Sequence, residues 1–279
     1  MPRRWKNLPK WQKRNKYIRS GYRKPSYSYY GSTRDMARWH NETVNIWSHL
    51  FAAIIFSWLL IRFLAQSGAL TLDVVAVVTF FLGAIVSFAL SFVHHLLSNH
   101  SRKVMILTQQ LDHVGTVIFI WSTMVSFLYF AFYCDRQLQA YHVGVATAVA
   151  LVTALCVSQP IFRGPESYHT RTLTFLALGL SATLPTMSLD VRSWERSACH
   201  PVLLASYRNL IILNAIGGFF YCMRIPERFC QDAFDIVGSS HQVMHITVVA
   251  GALLYRAGLP SAGRAWQGEG ATGLPCPTG

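Results

Sequence analysis

Seven stretches of the chain stay apolar for the width of a bilayer: Val44–Ala65, Val74–Ser98, Leu111–Tyr133, Ala140–Ser158, Thr172–Leu189, Val202–Met223 and Val237–Tyr255. A hydrocarbon core takes about 20 apolar residues of helix to cross. Backbone amides in lipid must pair within their own segment, so runs of this length are read as helices. The connections are short, with no repeat and no inserted soluble domain. The pattern predicts an all-α membrane protein, a seven-transmembrane helix bundle over residues 44–256. A basic segment, 1–43, precedes it. A tail rich in Gly, Pro and Ser, 257–279, follows it and is expected to be disordered.

Composition agrees with that reading. Charged residues make up 13% of the chain, against about 25% in soluble domains. The charges are also uneven: residues 1–38 hold 12 of the 25 Lys and Arg and a single acid, Asp35. Aromatics such as Trp5, Trp11, Tyr17 and Tyr22 interleave with them, a mixture that nucleic-acid surfaces also show. Because the stretch runs directly into an apolar span, it is read instead as a juxtamembrane segment against anionic inner-leaflet lipid. With the N-terminus inside, inner segments carry 18 basic residues and outer ones six, which orients the N-terminus to the cytoplasm and the C-terminus to the outside or lumen. The six cysteines form no C-x-x-C pair and read mainly as small apolar packers.

Ionisable residues inside spans are costly and mark interior sites. Here they share one depth. The second span ends in Ser91, His94 and His95; the third begins with Asp112 and His113; the seventh begins with His241 and His245; the first begins with Glu42, Asn45 and His49. On the assigned topology all lie in the inner leaflet. His241 and His245 are four residues apart and share a helix face, as do Ser91 and His95. Three histidine nitrogens plus an open position suit a catalytic Zn2+. His95, His241 and His245 would supply them from two helices, with His94 as the rival to its neighbour. Asp112 is the nearest carboxylate, placed to bond a water or to orient a histidine. Glu42, Asn45 and His49 form one stripe and read as interhelical contacts.

The stretches HNETVNIWSHL (His40–Leu50), LSFVHHLLSNHS (Leu90–Ser101), LDHVG (Leu111–Gly115), RIPERF (Arg224–Phe229) and FDIVGSSHQVMH (Phe234–His245) occur in an order that resembles the progestin and adiponectin Q receptor family. That family includes adiponectin receptors, fungal relatives linked to zinc homeostasis and hemolysin III-like proteins; the chain looks like a fungal-type member. The resemblance implies zinc held by His95, His241 and His245, with Ser91 and Asp112 as its companions. Gln231-Asp232, His94 and His113 depart from the family pattern.

Two functions are therefore expected to compete. One is a zinc-dependent lipid amide hydrolase of the ceramidase type, with Asp112 and Ser91 catalytic and a ceramide-like lipid or a sterol as its membrane ligand. The other is a receptor or regulator in which zinc is structural. A zinc transporter ranks third, because the outer halves of the spans offer few polar residues beyond Arg208, Asn209 and Asn214.

Overall fold

The structure is a computed structural model and describes residues 3–162, 167–181 and 201–266. The described residues form eight α-helices: α1 Tyr29–Arg34, α2 Thr43–Gln66, α3 Leu72–Leu97, α4 Arg102–Ala131, α5 Arg136–Val157, α6 Tyr168–Ser181, α7 Pro201–Met223 and α8 Ser240–Trp266. Several starts are set by side-chain caps, which satisfy backbone N–H groups that have no partner in the first turn. The Thr71 hydroxyl accepts from Val74 N–H, the Ser101 hydroxyl from Val104 N–H and the Asp135 carboxylate from Leu138 N–H.

Six helices, α2 to α5, α7 and α8, are long and apolar enough to cross a membrane. The predicted fifth span, Thr172–Leu189, is described only as far as Ser181, in α6. α6 runs antiparallel to α7: Gly218 faces Thr172 near one end, and the Tyr207 hydroxyl donates to the Gly179 carbonyl near the other. Six membrane-length helices, rather than the expected seven, are thus present among the described residues. α4 starts nine residues before the predicted Leu111, because Thr108 and Gln109 are buried on its inner face.

The helices follow one another round a ring, and α8 returns to α2 to close it. α3 and α4 pack closely, and a Cβ on Gly83 would overlap the Ser122 hydroxyl. α7 and α8 approach similarly at Gly217, which abuts Thr247. At the end away from the histidines the core is aromatic, with Phe80, Phe81, Phe127, Phe130 and Tyr255 almost wholly buried.

Two expectations need correction. The last helix continues to Trp266, with Gly258 against Ser206 of α7 and Leu259 buried, so the helical body runs past the expected boundary at 256. Residues 267–279 lie outside the described residues. Cys134, in the turn between α4 and α5, is disulfide-bonded rather than a packer. Cys156, Cys222 and Cys230 are free.

The basic segment is folded. Arg3 and Tyr22 pair through their backbones, and Leu8, Ile18 and Tyr22 form a small core of their own. This strap lies across the end of the bundle where α3 stops and α8 starts. The Arg19 N–H and the Ser20 hydroxyl donate to Asp235 at 2.9 and 2.7 Å. Asn15 Nδ2 donates to Glu227 at 2.9 Å.

Candidate metal centre

Two helix ends are pinned before any histidine is placed. The carbonyls in the last turn of a helix have no partner within it. Those of His95 and Leu96 in α3 accept from the Arg23 guanidinium at 2.5 and 2.8 Å. At the start of α8, buried Glu227 accepts from the Ser240 N–H and hydroxyl, next to its bond from Asn15. The last turn of α3 and the first turn of α8 are thereby fixed side by side.

Three imidazoles then converge. His241 Nε2 lies 3.3 Å from His95 Nε2 and 3.2 Å from His245 Nε2. With Zn–N near 2.0–2.1 Å, the edge of a tetrahedral zinc site is about 3.3–3.4 Å, so this spacing suits one ion. The tautomer suits it as well. A neutral His95 ring that donates Nδ1–H to Glu42 Oε2, 2.7 Å away, presents Nε2 to the other two rings as a metal donor. Asn45 donates to the same carboxylate oxygen at 2.8 Å. His49 stacks on His245 with centroids 3.8 Å apart, and neither of its ring nitrogens has a partner. Among the described residues, His95, His241 and His245 are the one group of donors close enough to share a metal.

His94 is turned away from this cluster. Its Nδ1 meets the Thr108 hydroxyl at 3.1 Å and its Nε2 faces Arg14 at 3.2 Å, so α4 and the strap occupy both nitrogens. His113 packs toward Phe175. Asp112 is not one of the three converging donors. It lines the same cavity as His95 and His241, beside the buried Ser91. That cavity is about 460 Å³ and is roofed by strap residues from Lys10 to Arg23.

Sequence reasoning missed four contributors. Glu42 is a histidine-orienting carboxylate, not merely an interhelical contact. Glu227 sets the start of α8. Arg14 and Arg23 reach inward, though composition counts them only as surface charge. Of these, Glu42 alone carried a usable signal, as an acid at the depth of the histidines.

The match to known proteins covers the same elements. The model of the haemolysin-III-related family matches residues 37–255, which include every residue of the cluster. The chain belongs to the haemolysin-III-related family. Similar members include an adiponectin receptor protein of Drosophila melanogaster, 31% identical over 91% of this chain and 58% of its own length. The ADIPOR-like receptor IZH2 of Saccharomyces cerevisiae is 33% identical over 91% of this chain and 82% of its own. A progestin and adipoQ receptor-like protein of Caenorhabditis elegans is 28% identical over 92% and 61%. The chain thus spans about three-fifths of the fly and worm relatives. It is an integral, multi-pass membrane protein of this receptor-like family.

Proposed function

We propose that the protein is a zinc-dependent hydrolase of lipid amides, built on seven crossings. The observation that carries this reading is the separation of roles around the cavity: three histidines converge, while Asp112 stands apart from them on the same wall. A closed structural site normally has four protein ligands, whereas three leave a position open. Zinc held there would supply Lewis acidity and make a water at that position more acidic.

The chain's own residues would do the rest. Asp112 accepts the proton of the attacking water as its oxygen bonds to the amide carbon. It then returns the proton to the departing nitrogen as the C–N bond breaks, giving a fatty acid and an amine. Ser91, beside Asp112, positions that carboxylate. Glu42 holds His95 in the ligating tautomer. The strap shields the polar face of the cavity.

The basic strap and short inner loops support a cytoplasmic N-terminus. The disulfide at Cys134 supports it independently: it lies at the far end of α4, and disulfides persist on the oxidising side of a membrane.

The receptor-type relatives motivate the second reading, a regulator with structural zinc. Asp112→Asn separates the two. The hydrolase reading expects zinc to stay and turnover of a ceramide-type amide to fall about 10²–10⁴-fold. Wild type that holds zinc and cleaves no lipid amide favours the regulator.

A further inference from the structure

The cavity in front of the histidines carries more positive charge than its own carboxylates offset. Its lining includes seven cationic side chains and only two carboxylates, Glu42 and Asp112. Glu42 is engaged by His95 and Asn45, and Asp112 lies beside Ser91. Arg23 is taken up by the end of α3. The remaining cations are Lys10, Lys13, Arg14, Arg102, Arg171 and Arg224.

The partners of Arg14 and Arg224 are neutral. Arg14 reaches Gln109 Oε1 at 2.9 Å and His94 Nε2 at 3.2 Å, in a setting where burial lowers its pKa from the ordinary guanidinium value. Arg224 lies over the rings of Tyr168 and Tyr221, at 4.2 and 4.8 Å. Arg171 is buried and donates to the Phe162 carbonyl at 2.8 Å. Among the described residues, no carboxylate forms an ion pair with Lys10, Lys13, Arg14, Arg102 or Arg224.

Like charges gathered round an enclosed space repel one another and focus a field that attracts an anion. Guanidiniums hold planar oxyanions through paired N–H bonds, and those bonds strengthen as water is excluded. A carboxylate brings one charge and two oxygens. A phosphate monoester brings about −1.5 to −2 and three acceptor oxygens, a closer match to several separate cations. Trp11, Met105 and Ile106 give the same cavity an apolar wall.

We propose that the ligand of this cavity is a lipid amide bearing a phosphate head, with the phosphate held by Arg14, Arg224 and the neighbouring cations and the amide directed to the histidines. This rests on the lipid-amide reading above, and it adds the substrate class. A neutral ceramide would bring Arg14 and Arg224 no counter-charge.

The test is binding, measured separately from turnover. Zinc-loaded full-length protein in neutral detergent is titrated with a fluorescent ceramide 1-phosphate and with the matching neutral ceramide. Each charge-assisted hydrogen bond contributes about 1.5–3 kcal/mol, so the phosphorylated lipid should bind roughly ten- to a hundredfold more tightly. Arg14→Gln together with Arg224→Gln should erase most of that preference with zinc content unchanged. Arg224→Gln alone, which leaves the strap contacts intact, should erase part of it.

Equal affinity for the two lipids overturns the proposal, as does a preference that survives the double substitution, since the metal would then be its source. Inorganic phosphate competing as tightly as the lipid overturns the lipid assignment. Selective binding without cleavage upholds the phosphate site and sinks the hydrolase reading. Cleavage of neutral ceramide without any preference does the reverse.

Discussion

Side chains in the half of the bundle that holds the histidines meet through hydrogen bonds between elements distant in sequence; in the opposite half they meet through rings. Around His95, contacts run to Glu42, to His241 and, through its carbonyl, to Arg23. Across the bundle, Phe127 stacks on Tyr207 at 3.8 Å and Phe80 meets Tyr255 edge-on at 5.0 Å. Polar joins across helices are sparse among the described residues of the ring-packed half; the shortest buried one is the 2.8 Å bond between the Ser126 and Tyr255 hydroxyls. The difference lies in how each half responds to damage. Ring packing is non-directional and relaxes around a small change. A polar network leaves an unsatisfied buried group when one member goes, and the donor positions shift with it.

The largest effect is expected at the donors. Ala at His95, His241 or His245 should lower zinc from near one ion per chain toward none, by elemental analysis of purified protein. His94→Ala should leave it in place, and equal loss there would mean that the wrong member of the pair is assigned. Asp112→Asn comes next, with the turnover loss given above and zinc retained. Glu42→Gln keeps the shape but weakens the acceptor that fixes the His95 tautomer. Chelator competition should show metal affinity about 10–100-fold lower.

A smaller effect is expected from pH at the hinge between strap and α2. Burial, reinforced by Arg23, lowers the His40 pKa to about 4, and its Nδ1 accepts from the Glu42 N–H at 3.0 Å. The unfolded chain takes up this proton near 6.5 and the folded one near 4, so the stabilising contribution is complete above 6.5 and is lost as pH falls toward 4. Thermal unfolding across that window should shift less in His40→Asn than in wild type. The smallest effect belongs to the aromatic half. Ser126→Ala should lower stability by about 1 kcal/mol and leave zinc untouched. Loss of zinc in that variant would mean that the two halves are not independent.

Much of this division was legible in the sequence. The long apolar runs announce membrane helices, and the four-residue spacing of His241 and His245 puts both on one face. What sequence spacing encodes, however, is relations within a helix. Glu42 therefore read as a member of its own stripe, although its decisive partner is 53 residues away in α3. Thr108 and Gln109 fall outside the apolar run that begins at Leu111, because their burial against His94 and Arg14 depends on where the strap passes. For the same reason, twelve basic residues in the first 38 looked like one undivided charge. Nothing local distinguishes Arg14 and Arg23, which turn inward, from Lys6 and Lys16, which stay exposed.

The strap's attachments have a consequence for linkage. Asn15 reaches α8 through Glu227, and Arg23 holds the end of α3, so the docked strap favours the spacing at which the three imidazoles can share an ion. Two equilibria that draw on one geometry must be coupled, and the coupling is reciprocal. An ion in the cluster makes the strap harder to peel away by the same factor in which a peeled strap loosens the ion. In thermodynamic terms residues 3–23 belong to the coordination sphere without contributing a donor atom to it.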